Sequence, residues 1–366
     1  METRTPQSAK SATPTVAKPG AGRIVRRRFL GGLGLAGGLA IGVPSLRQLF
    51  TGQASAEALQ PAVPAASQAG HADHSDHGGV ASGLAVGDVD PKVNGFDPMA
   101  MLTDFDYGKV SKLPNGQTLR EYTLTASVKT IQIAAGVNFE AWTYNERVPG
   151  PTIRATEGDR LRITFINATD HPHSIHFHGI HAATMDGMAA VAPGDTFVYE
   201  FDAAPFGLHL YHCHIAPLTT HIMRGLHGMF IIDPKTPRPQ AHELMMVMNA
   251  FDLNNDGENE IYAVNTVGFH FFKHPIPLKK DELVRVYLVN ITEFDPINSF
   301  HLHANLFHQY RTGTSLVPDE YTDLVMLCQG QRAILEFRYD TPGLYMFHAH
   351  QTEFTDKGWV GHFEVK

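Results

Sequence analysis

"GLHLYHCHIAPLTTHIMRGLHGMF", residues 207–230, and "GLYMFHAH", residues 343–350, decide how this chain is read. Each opens Gly-Leu, runs through apolar and aromatic residues and closes on two histidines one residue apart: His212 and His214, then His348 and His350. Working outward, "EGDRLRITFIN" (157–167), "HSIHFHG" (173–179) and "PGDTFVYEF" (193–201) precede the first stretch. "KDELVRVYLVN" (280–290), "FHLHANL" (300–306) and "GQRAILEFRY" (330–339) precede the second in the same order. Short β-branched and aromatic runs separated by Gly, Pro and Asp turns are the pattern of sandwich strands. A series that recurs once is an internal duplication. The expected fold is therefore all-β, with two Greek-key β-sandwich domains in tandem over 95–238 and 239–366, connected near "TPRPQAHE" (236–243).

The 366 residues, 43% of them hydrophobic, are enough for two cores. A formal charge of -8 argues against a nucleic-acid binder, which needs a basic face to neutralise phosphates. Two cysteines exclude a disulfide scaffold. The unusual figure is 22 histidines, because imidazole is the commonest metal ligand.

The N-terminus reads as an address. "RIVRRRFLGGLGLAGGLAIGVPSL" (23–46) places Arg26, Arg27 and Arg28 before a glycine-rich apolar run, and resembles a twin-arginine export signal. Ala54-Ser55-Ala56 offers a cleavage pattern, so residues 1–56 are expected to be a signal. The mature protein is then expected in the periplasm or outside the cell, without stable membrane insertion. Residues 57–94 are rich in Ala, Gly, Pro and Asp and predict a disordered linker. Its "HADHSDHGG" carries His71, His74 and His77, which are read as part of a solvated linker in preference to a weak metal-capture site.

In a strand, residues i and i+2 point to one face, so an H-x-H pair can reach a single metal cluster. Four such pairs stand at matching places in the repeats: His176/His178, His212/His214, His301/His303 and His348/His350. Convergent imidazoles favour copper, zinc or iron, and a thiolate with two imidazoles is the blue-copper set. His173, Cys213 and His221 supply that set, with Cys213 between two histidines of the larger cluster.

"WTYNERVPGPTIRATEGDRLRITFIN" (142–167), "HSIHFHG", Asp186-Gly187, "YHCH" (211–214) and "FHLHANLF" (300–307) together resemble the multicopper oxidase family, most closely its two-domain, laccase-like members. The ending "GLYMFHAHQTEFTDKGWVGHFEVK" (343–366) also resembles copper nitrite reductase. The resemblance implies cupredoxin-like domains and four coppers per chain. It implies a type 1 copper on His173, Cys213 and His221, and a type 2 copper on His176 and His301. His178, His212, His214, His303, His348 and His350 would hold a type 3 pair. Asp186 would assist proton delivery to oxygen, although an aspartate before glycine is also an ordinary turn residue. Each domain supplies half of the cluster, so the resemblance further implies a homotrimer with clusters between neighbouring chains.

The expected activity is oxidation of phenolic, aromatic or other one-electron donors, metal ions included, with reduction of dioxygen to water. Nitrite reduction to nitric oxide is the first alternative, weakened because His176 stands where that enzyme has an aspartate two residues before His178. A cuprous oxidase or copper-resistance role, with the histidine linker collecting metal, is the other.

Some residues depart from the pattern. Leu226 stands five positions beyond His221, where many blue-copper proteins place methionine, which predicts a raised reduction potential. Met223 and Met229 are read as core. Ala349 stands where Cys213 does in the first repeat, so the second domain is expected to have no type 1 copper. Cys328 is expected to be a buried structural thiol. "DLNNDGENE" (252–260) begins like a calcium loop but has Ala263 at the twelfth position, and a hairpin turn is preferred. "ELMMVMN" (243–249) reads as a packed strand, and the sequons at Asn167 and Asn290 carry no information in an apparently bacterial chain.

Overall fold

The computed structural model describes residues 87–366. The expected signal and the linker up to residue 86, with His71, His74 and His77, lie outside the described residues. Four sheets build two sandwiches. In the first half, one sheet runs in the order Phe105–Asp106, Thr152–Thr156, His227–Asp233, Gly207–His212, His176–Phe177. Its partner runs Lys109–Lys112, Thr118–Ala134, Arg160–Asn167, Thr196–Asp202, with Val137–Tyr144 paired to the long second strand. In the second half, His242–Phe251, Val284–Asn290 and Arg332–Phe337 form the middle of a six-stranded sheet. Opposite them, Val360–Val365, Gly343–His348, Ile297–Leu302 and Leu324–Cys328 lie side by side. No helix among the described residues is long and apolar enough to cross a membrane.

Side-chain alternation explains the packing. Along Arg160–Asn167, Leu161, Ile163 and Phe165 are fully buried in the first core, while Arg160 and Arg162 face outward onto Glu200. The counterpart Val284–Asn290 is buried at every position. It is covered on both faces: Val286 and Leu288 enter the core of the second half, and Tyr287 and Val289 enter a third core between the halves. A strand covered twice reads as a continuous apolar run rather than an alternation. The third core gathers Leu208, Leu210, Met229 and Ile231 from the first half with Met245, Val247 and Ile334 from the second. Met223 also packs there, so both methionines near Leu226 are core residues as expected.

The duplication is visible bond by bond. Asn167 donates to the His171 and Val191 carbonyls and accepts from the Thr169 N–H; Asn290 donates to the Leu327 carbonyl and accepts from the Thr292 N–H. Both asparagines are fully buried, so these sequons brace strand ends and offer no site for a glycan.

Three local readings differ from the sequence expectation or sharpen it. Pro91–Asn94, at the end of the expected linker, form a helical turn capped by Asp90, and buried Asn94 exchanges hydrogen bonds with the Gln132 backbone. The chain is thus packed before residue 95, because an asparagine completes the edge of a sheet. Cys328 is exposed, not buried. It ends the strand Leu324–Cys328, in which Val325 and Leu327 point inward and the alternate residues outward. Residues 252–260 link His242–Phe251 to its antiparallel neighbour Ile261–Val264, and Asp252 accepts from the N–H groups of Asn254, Asn255 and Gly257. That is a hairpin loop tied by its own backbone.

Candidate metal centres

The strand Gly207–His212 delivers Cys213 at its end, where the Cys213 N–H donates to the Leu226 carbonyl at 2.9 Å. The following helix, Leu218–Met223, turns His221 back toward the sulfur. His173 is fixed by two backbone hydrogen bonds to Val191. The result is a convergent set: Cys213 Sγ lies 3.1 Å from His221 Nδ1 and 3.8 Å from His173 Nδ1, and the two Nδ1 atoms are 3.1 Å apart. All three residues are buried, and Trp142 covers both imidazoles edge-on. Burial lowers His173 to about 4 and lowers His221 as well, so both rings are neutral and keep a lone pair for a metal. Burial pushes the Cys213 thiol up, so a thiolate here requires a cation beside it. The donor set fits copper, being one sulfur and two imidazoles in a dry pocket. Leu226 is fully buried in the same core as Cys213, whereas Met223 and Met229 pack in the core between the halves.

The second half repeats this corner without its ligands. The Ala349 N–H donates to the Trp359 carbonyl and the Trp359 N–H to the Phe354 carbonyl, as Cys213 does to Leu226 and Leu226 to His221. Ala349, Phe354 and Trp359 therefore stand for Cys213, His221 and Leu226. Asn298, preceding Ser299, stands for His173 before Ser174, since both serine hydroxyls accept from the cluster residues His350 and His214. The Trp359 indole, 1% exposed, donates to Asn298 at 3.1 Å and occupies the space a metal site would need.

Three histidines converge in each half, His176, His178 and His212 in the first and His301, His303 and His348 in the second, with His214 and His350 beside them but outside the sets whose ligand atoms meet. His178 and His212 bring their Nε2 atoms to 3.2 Å, with the His176 ring 5.1 and 5.2 Å from theirs and His214 5.2 Å from His176. His303 and His348 bring their Nε2 atoms to 2.9 Å, with the His301 ring 5.0 and 5.4 Å from theirs and His350 5.3 Å from His301. Backbone carbonyls hold the Nδ1 atoms: Cys213 for His212, Ala349 for His348, Asp186 for His176 and Asp323 for His301. Occupying Nδ1 fixes the tautomer and leaves Nε2 for a metal. Burial depresses His178 to about 3 and His212 to about 4, and lowers His348. Among the described residues, the close approaches of ligand atoms fall within each half-site and do not join them.

Asp186 lies against the first half-site. Its carboxylate lies 3.2 Å from His176 Nδ1 and 3.9 Å from His181 Nε2. Gly187 turns away at φ +74, where a Cβ would lie 2.2 Å from the Ile175 carbonyl oxygen. Asp186 is thus a turn residue that also contacts His176. Sequence reasoning passed over His181, whose imidazole also bonds the Phe177 carbonyl, and Asp323, the counterpart of Asp186. His181 lies between the quoted "HSIHFHG" and Asp186-Gly187, where that spacing could have pointed to it; nothing local flags Asp323. An open cleft of about 430 Å³ lies over the first half-site, lined by His176, His178, His181, Asp186 and Arg332.

Comparison with known proteins agrees with this geometry. Two family profiles, both described as multicopper oxidase, match residues 125–237 and 237–366. A copper-containing nitrite reductase of Neisseria meningitidis is 30% identical over 264 residues, covering 65% of this chain and 67% of that protein. A solved multicopper oxidase is 54% identical with a TM-score of 0.75, covering 76% of this chain and 100% of that one. A blue copper oxidase from Nitrosomonas europaea is 29% identical with a TM-score of 0.61, covering 68% of this chain and 86% of that one. The cysteine-histidine corner, the paired half-sites and these matches converge: the chain belongs to the multicopper oxidase family, as a two-domain member related to the copper nitrite reductases.

Proposed function

We propose that this chain is a laccase-like oxidase, exported by the twin-arginine route, that takes single electrons from phenolic, aromatic or other small reductants and returns them to dioxygen. His173, Cys213 and His221 would hold the type 1 copper. His176 and His301 would hold type 2, and His178, His212, His214, His303, His348 and His350 the type 3 pair. Bound copper supplies the one-electron chemistry, in which four electrons and four protons convert one dioxygen to two waters. The chain supplies the rest. Peptide bonds join Cys213 to His212 and His214, so the donor site and the cluster share one short covalent route. Asp186, at 3.2 Å from His176, is the carboxylate placed to pass protons.

One observation carries the reading: two half-sites of matching build that do not meet among the described residues of one chain. Such halves are completed by a second copy in a head-to-tail contact, and head-to-tail contacts form a ring where the rotation between copies closes. A homotrimer with three complete clusters is the arrangement proposed. A fully copper-loaded, fully active monomer in ultracentrifugation overturns it.

Metal counting with absorption and spin-resonance spectra tests the function. Four coppers per chain, a blue band, one type 2 signal and a spin-silent pair are expected, whereas two coppers per chain sink the oxidase reading. The Cys213→Ser variant should lose the blue band and donor oxidation while keeping most cluster copper. Nitrite reduction is the second reading, supported by the 30% identity to a nitrite reductase and opposed by His176 at the position of that enzyme's aspartate. Comparing turnover of cuprous ion with that of a phenol, with and without residues 57–94, tests a copper-handling role.

A further inference from the structure

Neither imidazole of the cysteine-histidine corner reaches the surface: His173 is 0% and His221 4% exposed. That cover is built within one chain, so a second copy can add to it but not remove it. Trp142 lies over both rings, edge-on, with its centroid 5.2 Å from that of His173 and 4.9 Å from that of His221. The indole is itself only partly buried, and the exposed His171 packs on it at 5.3 Å. The Trp142 backbone N–H donates to the Arg224 carbonyl at 2.9 Å, and the Arg224 guanidinium stands 5.7 Å from the ring centre. The second half carries the same strand end without a metal site. Tyr262 stands there for Trp142: its N–H donates to the Lys357 carbonyl, and the Lys357 ammonium lies 5.9 Å from its ring. Three residues on, Asn265 and Thr266 have positive φ, as Asn145 and Glu146 do after Trp142. Tyr262, however, is 3% exposed, stacks face-on upon Phe354 at 4.0 Å and ties its hydroxyl to Asp295. Where no ligands stand beneath it, this position is sealed. Where His173 and His221 stand beneath it, it holds an indole that reaches the outside.

We infer that Trp142 is the relay through which electrons from the donor reach the type 1 site. The inference rests on the copper reading of His173, Cys213 and His221 given above, and not on what the cluster reduces. Electronic coupling falls steeply with distance and is carried better through packed rings than across a gap. A donor that cannot touch either imidazole is therefore coupled to both through the indole in contact with them. In the step, one electron leaves the donor and reduces copper(II) to copper(I), and a phenolic donor releases its proton to water. Trp142 itself ends neither oxidised nor reduced.

Anaerobic stopped-flow bleaching of the blue band tests this in the copper-loaded full chain, with hexaammineruthenium(II) as the donor. That ion gives up its electron without binding a ligand, and it is too bulky for the space one truncated side chain leaves. In Trp142→Leu the bleaching rate should fall about tenfold or more, equivalent to about 1.4 kcal/mol or more of activation free energy. The position of the blue band and the reduction potential should stay as in the native protein. Trp142→Phe, which keeps a ring, should recover most of the lost rate. Reoxidation by dioxygen should be unaltered, because the covalent route from Cys213 to His212 and His214 does not pass through the indole. Bleaching in Trp142→Leu as fast as in the native protein, or faster, makes the ring a cover only and overturns the relay. A potential that shifts enough to account for the lost rate overturns it too, since the ring would then act by positioning the imidazoles. If the leucine variant does not fold or take up copper, Trp142→Met, which fills more of the space, decides on the same readings. A native protein without a blue band fails the copper reading, whereas a blue protein whose variants bleach at the native rate fails the relay alone.

Discussion

At the residue scale, the cysteine-histidine corner turns on Leu226. Its carbonyl anchors Cys213 and its side chain is fully buried beside it, so backbone and packing are both committed before any metal arrives. Leu226→Met is close to volume-conserving and should cost less than about 1.5 kcal/mol of stability. It offers a thioether to the copper, so a redox titration of the blue band should show a lowered potential; an unchanged potential means the side chain at 226 does not face the metal. Most of this corner was legible in the sequence. His212, Cys213 and His214 are adjacent, His173 and His176 are three apart, and strand alternation aims the pairs. Trp359 and Asn298 were not legible as replacements for Leu226 and His173, because their correspondence rests on matching backbone hydrogen bonds. Arg332 was hidden for a related reason, since its approach to His178 crosses from one half of the chain to the other.

At the element scale, the loop after His176–Phe177 decides where the Asp186 carboxylate sits. The 3-10 turn Ala183–Met185 leads to Asp186, and Gly187 then reverses the chain at φ +74 against the Ile175 backbone. A left-handed residue with a side chain costs roughly 1–2 kcal/mol, and here the added Cβ also strikes a carbonyl that cannot retreat without moving His176. Gly187→Ala should therefore destabilise by on the order of 2 kcal/mol or more and disturb the type 2 spin-resonance signal. Asp186→Asn is the control: it keeps the turn, so the melting temperature should hold while oxygen reduction slows. An unperturbed type 2 signal in Gly187→Ala shows the loop to be independent of His176. The sequence displayed the Asp-Gly pair, and the turn confirms why glycine follows. The exposed thiol of Cys328 went the other way, because a strand with one open face alternates and the last residue fell on the outer side.

At the scale of the whole molecule, the halves are held by the shared core and by a charge network at its rim. Arg154 of the first half bonds Asp233 and reaches Glu243 of the second, which also receives Arg285 and the Tyr287 hydroxyl; Arg285 continues to Glu336. Burial alone would raise the Glu243 carboxyl, but the Arg154 hydrogen bond and charge outweigh it and hold Glu243 below the ordinary carboxylate range. A depressed carboxylate binds fewer protons folded than unfolded, so its contribution is present above the ordinary value of 4.5 and lost as the pH falls through the depressed one. Arg285→Met fills similar space, leaves Glu336 without its guanidinium and takes from Glu243 one of its two, Arg154 remaining, which should cost about 3–5 kcal/mol at neutral pH. Acid should narrow that gap, because the part of it carried by Glu243 is lost as the pH falls through its depressed value. Chemical unfolding of the copper-free chain at pH 7 and at pH 3 reads both numbers. A difference that stays constant with pH would mean that Arg285 acts through packing, and that the two halves are joined by their apolar core alone.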